Sequence, residues 1–241
     1  MENRNHEISK VSVGYIIAEG RLRFERTEAV LLVDFHSRDL RKSDQLSRLQ
    51  AERLFGPLDV IRVLQKEKIS FVLVGAYGLA GWMKKPRATE DVAVVVALRQ
   101  VKKAVRELAK AFPELDAEDC EFVVRMRNRQ TDKIAIDVMK PIQPPYVDIF
   151  RHTHKVVVGR LGYRVPSLEM ALACKFAPLV SVARANEKKY QDAHDFVVMA
   201  KNNLEVDLES LHEIGESIFP GGGKEIVEKV HQARAGQKLV F

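Results

Sequence analysis

Residues 74–96 read VGAYGLAGWMKKPRATEDVAVVV, and their order decides the fold. The apolar run FVLV (71–74) is expected as a buried strand that ends at Gly75. AYGLAGWM follows as a short helix. Lys84-Lys85-Pro86 stops it, because proline cannot extend a helix and restricts the residue before it. DVAVVVAL (91–98) is expected as a second strand. Strand residues alternate faces, so Asp91, Ala93 and Val95 share one face while Val92, Val94 and Val96 fill a core on the other. Between the two strands lies an anion site. The first N–H groups of a helix are unpaired, and a glycine at the turn lets a phosphate come close to them.

Working outward, EFVVRMR (121–127) and KIAIDVM (133–139) read as paired strands around a polar turn at 128–132. Ile134, Ile136 and Val138 share one face, and Asp137 points to the other. An acid on an apolar strand costs free energy unless it is exposed, paired or bound to metal. If the strands at 91–98 and 133–139 are neighbours, Asp91 and Asp137 approach one point. QVKKAVRELAKAF (100–112) is a well-patterned amphipathic helix. KVVVGRLGYRVPS predicts a β-hairpin, after which Ser167 caps the first of four helices filling the C-terminal part from about residue 166. The Gly56-Pro57 step is expected to break or restart a helical stretch that begins at Leu46. Upstream, residues 8–36 read as β-rich and 37–47 as a polar linker.

The 241 residues, 46% of them hydrophobic, suffice for one large domain or a catalytic domain with a helical appendage. No apolar run is long enough to span a bilayer, and the polar N-terminus MENRNHEISK has no signal-peptide core. A cytoplasmic location with no membrane partner is therefore expected. The net charge of +6 suits a polyanionic partner such as RNA or a nucleoside triphosphate. Cys120 and Cys174 stand apart and read as free thiols. His152 and His154 can share a strand face but have no third ligand nearby. PGGGKE (220–225) lacks the spacing of a phosphate loop and reads as a loop before a helix.

Taken together, the turn and the two acidic strands resemble the nucleotidyltransferase fold. That family carries a glycine-rich turn, a strand with two carboxylates in alternation, and a third carboxylate on a later strand. Residues 74–96 match the first two elements and IAIDVM (134–139) the third. RATED (87–91) is similar to the R-x-T-x-D run of the MNT and AbiEii-type branch, the latter known as toxins of toxin–antitoxin pairs. Lys175, Arg184, Asp192 and Asp195 follow in that branch's order. Each motif is short; their order and spacing over about residues 65–200 carry the likeness.

The resemblance implies an α/β (α+β) fold, a mixed sheet flanked by helices with a helical region behind it. It divides the chain into a β-rich extension (1–47), a nucleotidyltransferase-like core (48–165) and a helical C-terminal region (166–241). It implies Mg²⁺ as cofactor and an NTP as co-substrate, with nucleotidyl transfer to a hydroxyl of RNA (a tRNA end, for instance), a protein or a small molecule. Asp91 and Asp137 would hold metal. Gly75 and Ala76 would form the phosphate turn, with Arg87, Thr89 and Lys175 near the phosphates. Asp192 or Asp195 would complete the site, and an antitoxin protein would be a partner. Two positions depart from the pattern. Ala76 replaces the second Gly or Ser of the turn but keeps its N–H. Ala93 stands where the family has its bridging carboxylate, and a methyl group cannot ligate a metal. The chain is thus an enzyme of this kind, a form of one inactivated at Ala93, or an inactive NTP-, RNA- or partner-binding module.

Overall fold

The computed structural model describes residues 20–51, 55–85 and 88–240. At its centre, β1 (Phe71–Val74), β2 (Val92–Val96), β3 (Leu115–Asp119), β4 (Val123–Asn128) and β5 (Ile134–Met139) form one mixed sheet in the order β1-β2-β5-β4-β3. β2 runs parallel to β5 and antiparallel to β1, while β5–β4 and β4–β3 are antiparallel. A parallel neighbour needs a long crossover, and the chain supplies one through α5 (Val101–Ala111) and the β3–β4 hairpin.

One face of the sheet packs on α2 (Pro57–Lys66) and α5. Val60, Ile61 and Leu64 from α2 and Ala104 and Leu108 from α5 meet Leu73, Val94, Ile136 and Met126. Pro57 stands at the first turn of α2, where its missing N–H costs nothing, and the Asp59 carboxylate reaches back 2.8 Å to accept from the Gly56 N–H. The other face, at the β1–β2 side, is covered by a four-helix region of α6 (Leu168–Val180), α7 (Asn186–Asn202), α8 (Leu208–Ile218) and α9 (Gly222–Arg234). Phe176, Phe196, Met199, Leu211 and Val230 are buried there beside Val72, Val74 and Val95. Ser167 caps α6 by accepting from the Met170 N–H at 3.3 Å. The hairpin of β6 (Thr153–Val158) and β7 (Leu161–Pro166) turns at Gly159, whose φ of +65° favours glycine.

The N-terminal expectation is corrected. Where a β-rich stretch and a linker were expected over 8–47, the structure has one helix, α1 (Gly20–Ala51), over the described part; residues 1–19 lie outside the described residues. Leu32, His36, Asp39, Leu40, Ser43 and Ser47 are buried at steps of three and four, which is a helical face. Four of those six are polar, so a search for apolar runs picks out AVLLVDF (29–35) as a strand and misses the longer period. Part of the polar face finds partners: His36 Nε2 lies 2.9 Å from the Tyr163 hydroxyl, and Ser47 Oγ donates to the Ser43 carbonyl, whereas His36 Nδ1 and Asp39 Oδ2 have none among the described residues. Burial pushes the His36 pKa down to about 4, so it stands neutral in this contact. The acidic edge strand β3 also has no counterpart in the expectation; of its five residues only Leu115 is buried.

Candidate functional site

β1, β2 and β5 bring the sequence-expected residues to one place. The register pairs Val74 with Ala93 and Ala93 with Asp137 across the three strands. Gly75 follows Val74 directly, opens the one-turn helix α3 (Gly75–Gly78), and has φ +63°. A Cβ built there would come 3.2 Å from the Ala93 Cβ, so the turn lies against the strand position of the absent carboxylate. A second one-turn helix, α4 (Ala80–Met83), carries the chain away. Gly78 packs on the Leu73 carbonyl, where any larger residue would collide with backbone.

Asp91 immediately precedes β2, and its Oδ1 accepts from Thr89 Oγ1 at 3.0 Å. The Thr89 N–H donates to Ser47 Oγ at 3.1 Å. Thus α1, the loop and Asp91 are joined, and Thr89 positions the carboxylate from the side. Ala76 remains in the turn as expected, partly exposed. Arg87 lies outside the described residues.

Asp137 is the unusual group. Among the described residues, its buried Oδ1 has no hydrogen-bond partner. Burial raises its pKa from 3.8 to about 6, and the negative charge of Asp91 adds to the rise; Arg125, Arg127 and Lys188 pull the other way. A buried carboxylate oxygen left without a donor is expensive unless something else neutralises it. The two carboxylates are hard oxygen donors. They fit one Mg²⁺, an ion commonly held by one or two carboxylates with water and phosphate oxygens completing its shell. They do not fit a bridged pair of ions, because Ala93 offers nothing to bridge with. Among the described residues, no group of three His, Cys, Asp or Glu side chains is placed to hold a metal. That includes His152 and His154.

Lys175, Asp192 and Asp195 come together with Arg184 between α6 and α7. Lys175 Nζ donates to Asp192 Oδ1 at 2.9 Å and lies 2.8 Å from Asp195 Oδ2. Arg184 donates from Nε and Nη2 to Asp192 Oδ2 at 3.0 and 2.7 Å. Side-chain exposures of 11, 4 and 1% for Lys175, Asp192 and Asp195 make this a buried ion cluster that pins α7 to α6. Next to it, Cys174 is a buried free thiol whose pKa is pushed up to about 12 by burial, which leaves it unreactive. At the α8–α9 turn, Glu216 accepts from the Gly221 and Gly223 N–H groups at 2.9 and 3.1 Å. PGGGKE is thus a loop whose amides are already capped from within.

Arg125 and Lys188 were missed by the sequence reading. Alternation in EFVVRMR puts Arg125 opposite the buried Val124 and Met126, and the register then pairs it with Asp137. Lys188 shares a helical face with Asp192 and Asp195.

No protein-family model and no curated protein sequence matches the chain. Three solved structures overlap with it slightly. An antigenic nucleotidyltransferase-like protein from Paracoccidioides brasiliensis does so at 17% identity and a TM-score of 0.48, over 75% of this chain and 91% of that one. The antibiotic-resistance factor ANT(2'')-Ia does so at 10% identity and 0.45, over 74% and 86%. The lincomycin-bound lincosamide antibiotic adenylyltransferase LnuA does so at 12% and 0.42, over 60% and 94%. Likenesses this slight carry neither an activity nor a substrate over to this chain.

Proposed function

We propose that the Gly75–Asp91–Asp137 cleft binds a nucleoside triphosphate with Mg²⁺ and serves transfer of its nucleotidyl group to a hydroxyl, at a rate limited by Ala93. The observation that supports this most is the partly buried Asp137 carboxylate, whose Oδ1 has no hydrogen-bond partner among the described residues, beside Asp91 and with β2 between it and a positive-φ glycine turn. Asp91 and Asp137 would hold the ion, which when bound neutralises phosphate charge and polarises the α-phosphate. The N–H groups following Gly75 would take phosphate oxygens. In the transfer, the acceptor oxygen bonds to the α-phosphorus, the bond from that phosphorus to the bridging oxygen breaks, and pyrophosphate leaves. The hydroxyl proton passes to solvent water, since Asp137 would be engaged as a ligand of the ion. Thr89 keeps Asp91 aimed. Arg87, in the RATED run that likens the chain to the toxin branch, is expected to reach the phosphates. Lys175 supports the site by holding α7 in place.

A second reading, a nucleotide-binding module without chemistry, is favoured by Ala93 alone. Incubation with α-labelled NTPs, Mg²⁺ and total RNA separates the two. Label transfer by the native chain, raised at least tenfold in Ala93→Asp, is expected. No transfer by either form together with Mg²⁺-dependent NTP binding supports the binding module. No transfer and no such binding overturns both.

A further inference from the structure

The buried face of α1 is mostly polar, and its last buried member meets the loop that delivers Asp91. Ser47 is only 1% exposed. Its hydroxyl proton goes to the Ser43 carbonyl one turn back, at 2.7 Å. A hydroxyl has one proton and two lone pairs, so toward any other group Ser47 Oγ can only accept. It accepts from the Thr89 N–H at 3.1 Å. Thr89 then donates its own hydroxyl proton to Asp91 Oδ1 at 3.0 Å. An ionised carboxylate only accepts, so the direction of every bond in the relay from Ser47 through Thr89 to Asp91 is fixed. Among the described residues, Ser47 is the one acceptor for the Thr89 N–H, and Thr89 is the one hydrogen-bond donor to Asp91. α1 is in turn held close at two further points. His36 Nε2 lies 2.9 Å from the Tyr163 hydroxyl. At Gly81 of α4, a built Cβ would come 2.6 Å from Leu32 Cδ1 and 3.0 Å from His36 Cβ.

Resting on the nucleotidyl-transfer reading above, we propose that Ser47 is a positioning residue for the ion site. It holds Thr89 by the backbone, and through the Thr89 hydroxyl it sets the direction in which Asp91 presents its other oxygen. Mg²⁺ demands near-octahedral geometry with ligands at about 2.0–2.1 Å, so a carboxylate at the end of a loop needs a rigid support. A helix supplies one more exactingly than a loop can. The demand is sharper with Ala93 in place, because only Asp91 and Asp137 are left to fix the ion. This role also accounts for a polar residue at a buried helical position. An apolar side chain at 47 would fill the space but leave the Thr89 amide without an acceptor.

The test follows nucleotide binding rather than turnover. Non-hydrolysable ATP, GTP, CTP and UTP analogues are titrated calorimetrically in Mg²⁺ and in EDTA. For the tightest binder, the ratio of the two affinities gives the contribution of the ion. Ser47→Ala is expected to lower that ratio about three- to tenfold, with affinity in EDTA held within about twofold of native. Thr89→Val is expected to lower it at least as far. Adding Ser47→Ala to Thr89→Val is expected to lower it no further, because Ser47 acts only through Thr89. Ser47→Thr keeps the hydroxyl and is expected to stay within about twofold of native. By hydrogen exchange, the Thr89 amide should lose its protection in Ser47→Ala while the β2 amides keep theirs. An unchanged ratio, unchanged Thr89 protection, or losses that multiply in the double variant would each overturn the positioning role. So would equal weakening with and without Mg²⁺, which would assign Ser47 to the fold alone. In all these cases the native ratio survives, and the transfer reading with it. A native ratio of one overturns that reading instead, and leaves Asp91 no ion to be aimed at.

Discussion

Asp137 carries a pH signature that is independent of any ligand. Its carboxyl in the folded chain titrates near 6, against 3.8 as the ordinary value. Below about pH 3 it is protonated in both states and costs nothing. As the pH rises through 4 to 6 the unfolded chain releases the proton and the folded chain keeps it, so stability falls; above about 7 the difference is level. Two pKa units correspond to roughly 3 kcal/mol. Asp137→Asn is therefore expected to be ~1–3 kcal/mol more stable than native at pH 8 without metal, and equal to it at about pH 3. Urea denaturation across that range checks this; parallel profiles would show that Asp137 is an ordinary surface acid. At this scale the sequence told a good deal. The alternation in IAIDVM isolates Asp137 from its apolar neighbours. It could not reveal that Arg125 faces the same carboxyl, because that follows from register between strands and not from spacing along one.

The elements were legible where their burial is apolar. β1, β2 and β5 announce themselves as short apolar runs, and the β6–β7 hairpin by its glycines. α1 and β3 did not, since α1 buries His36, Asp39, Ser43 and Ser47, and β3 exposes four of its five residues. The order of Lys175, Arg184, Asp192 and Asp195 was visible, but their mutual pairing is a contact between two helices. That pairing has a measurable weight. Lys175→Met leaves the nearly inaccessible Asp195 without its lysine, and breaking a buried pair from one side costs ~3–5 kcal/mol. The same variant is expected to loosen α7, read as a lower melting temperature by calorimetry. A loss below about 1 kcal/mol would mean the cluster is solvated and does not hold α7.

For the whole molecule, a sheet with one sealed face and one half-open face sets where chemistry can occur. α2 and α5 close the first; α6–α9 cover the second over β1 and β2 and reach Met139 on β5, which leaves Asp137 at the boundary between core and cleft. Among the described residues no helix is long and apolar enough to cross a membrane. The run of helices from about residue 166 was readable from the sequence pattern, whereas docking of α1 against the hairpin, through His36 and Tyr163, spans 127 residues and has no local sign. The most direct test of the central claim is calorimetric titration of a non-hydrolysable ATP analogue, and of its GTP, CTP and UTP counterparts, at pH 7.5. Binding of at least one with Mg²⁺ is expected, at least tenfold weaker in EDTA and in Asp91→Asn and Asp137→Asn. Equal binding in all of these, or binding of none of the four nucleotides, would contradict it.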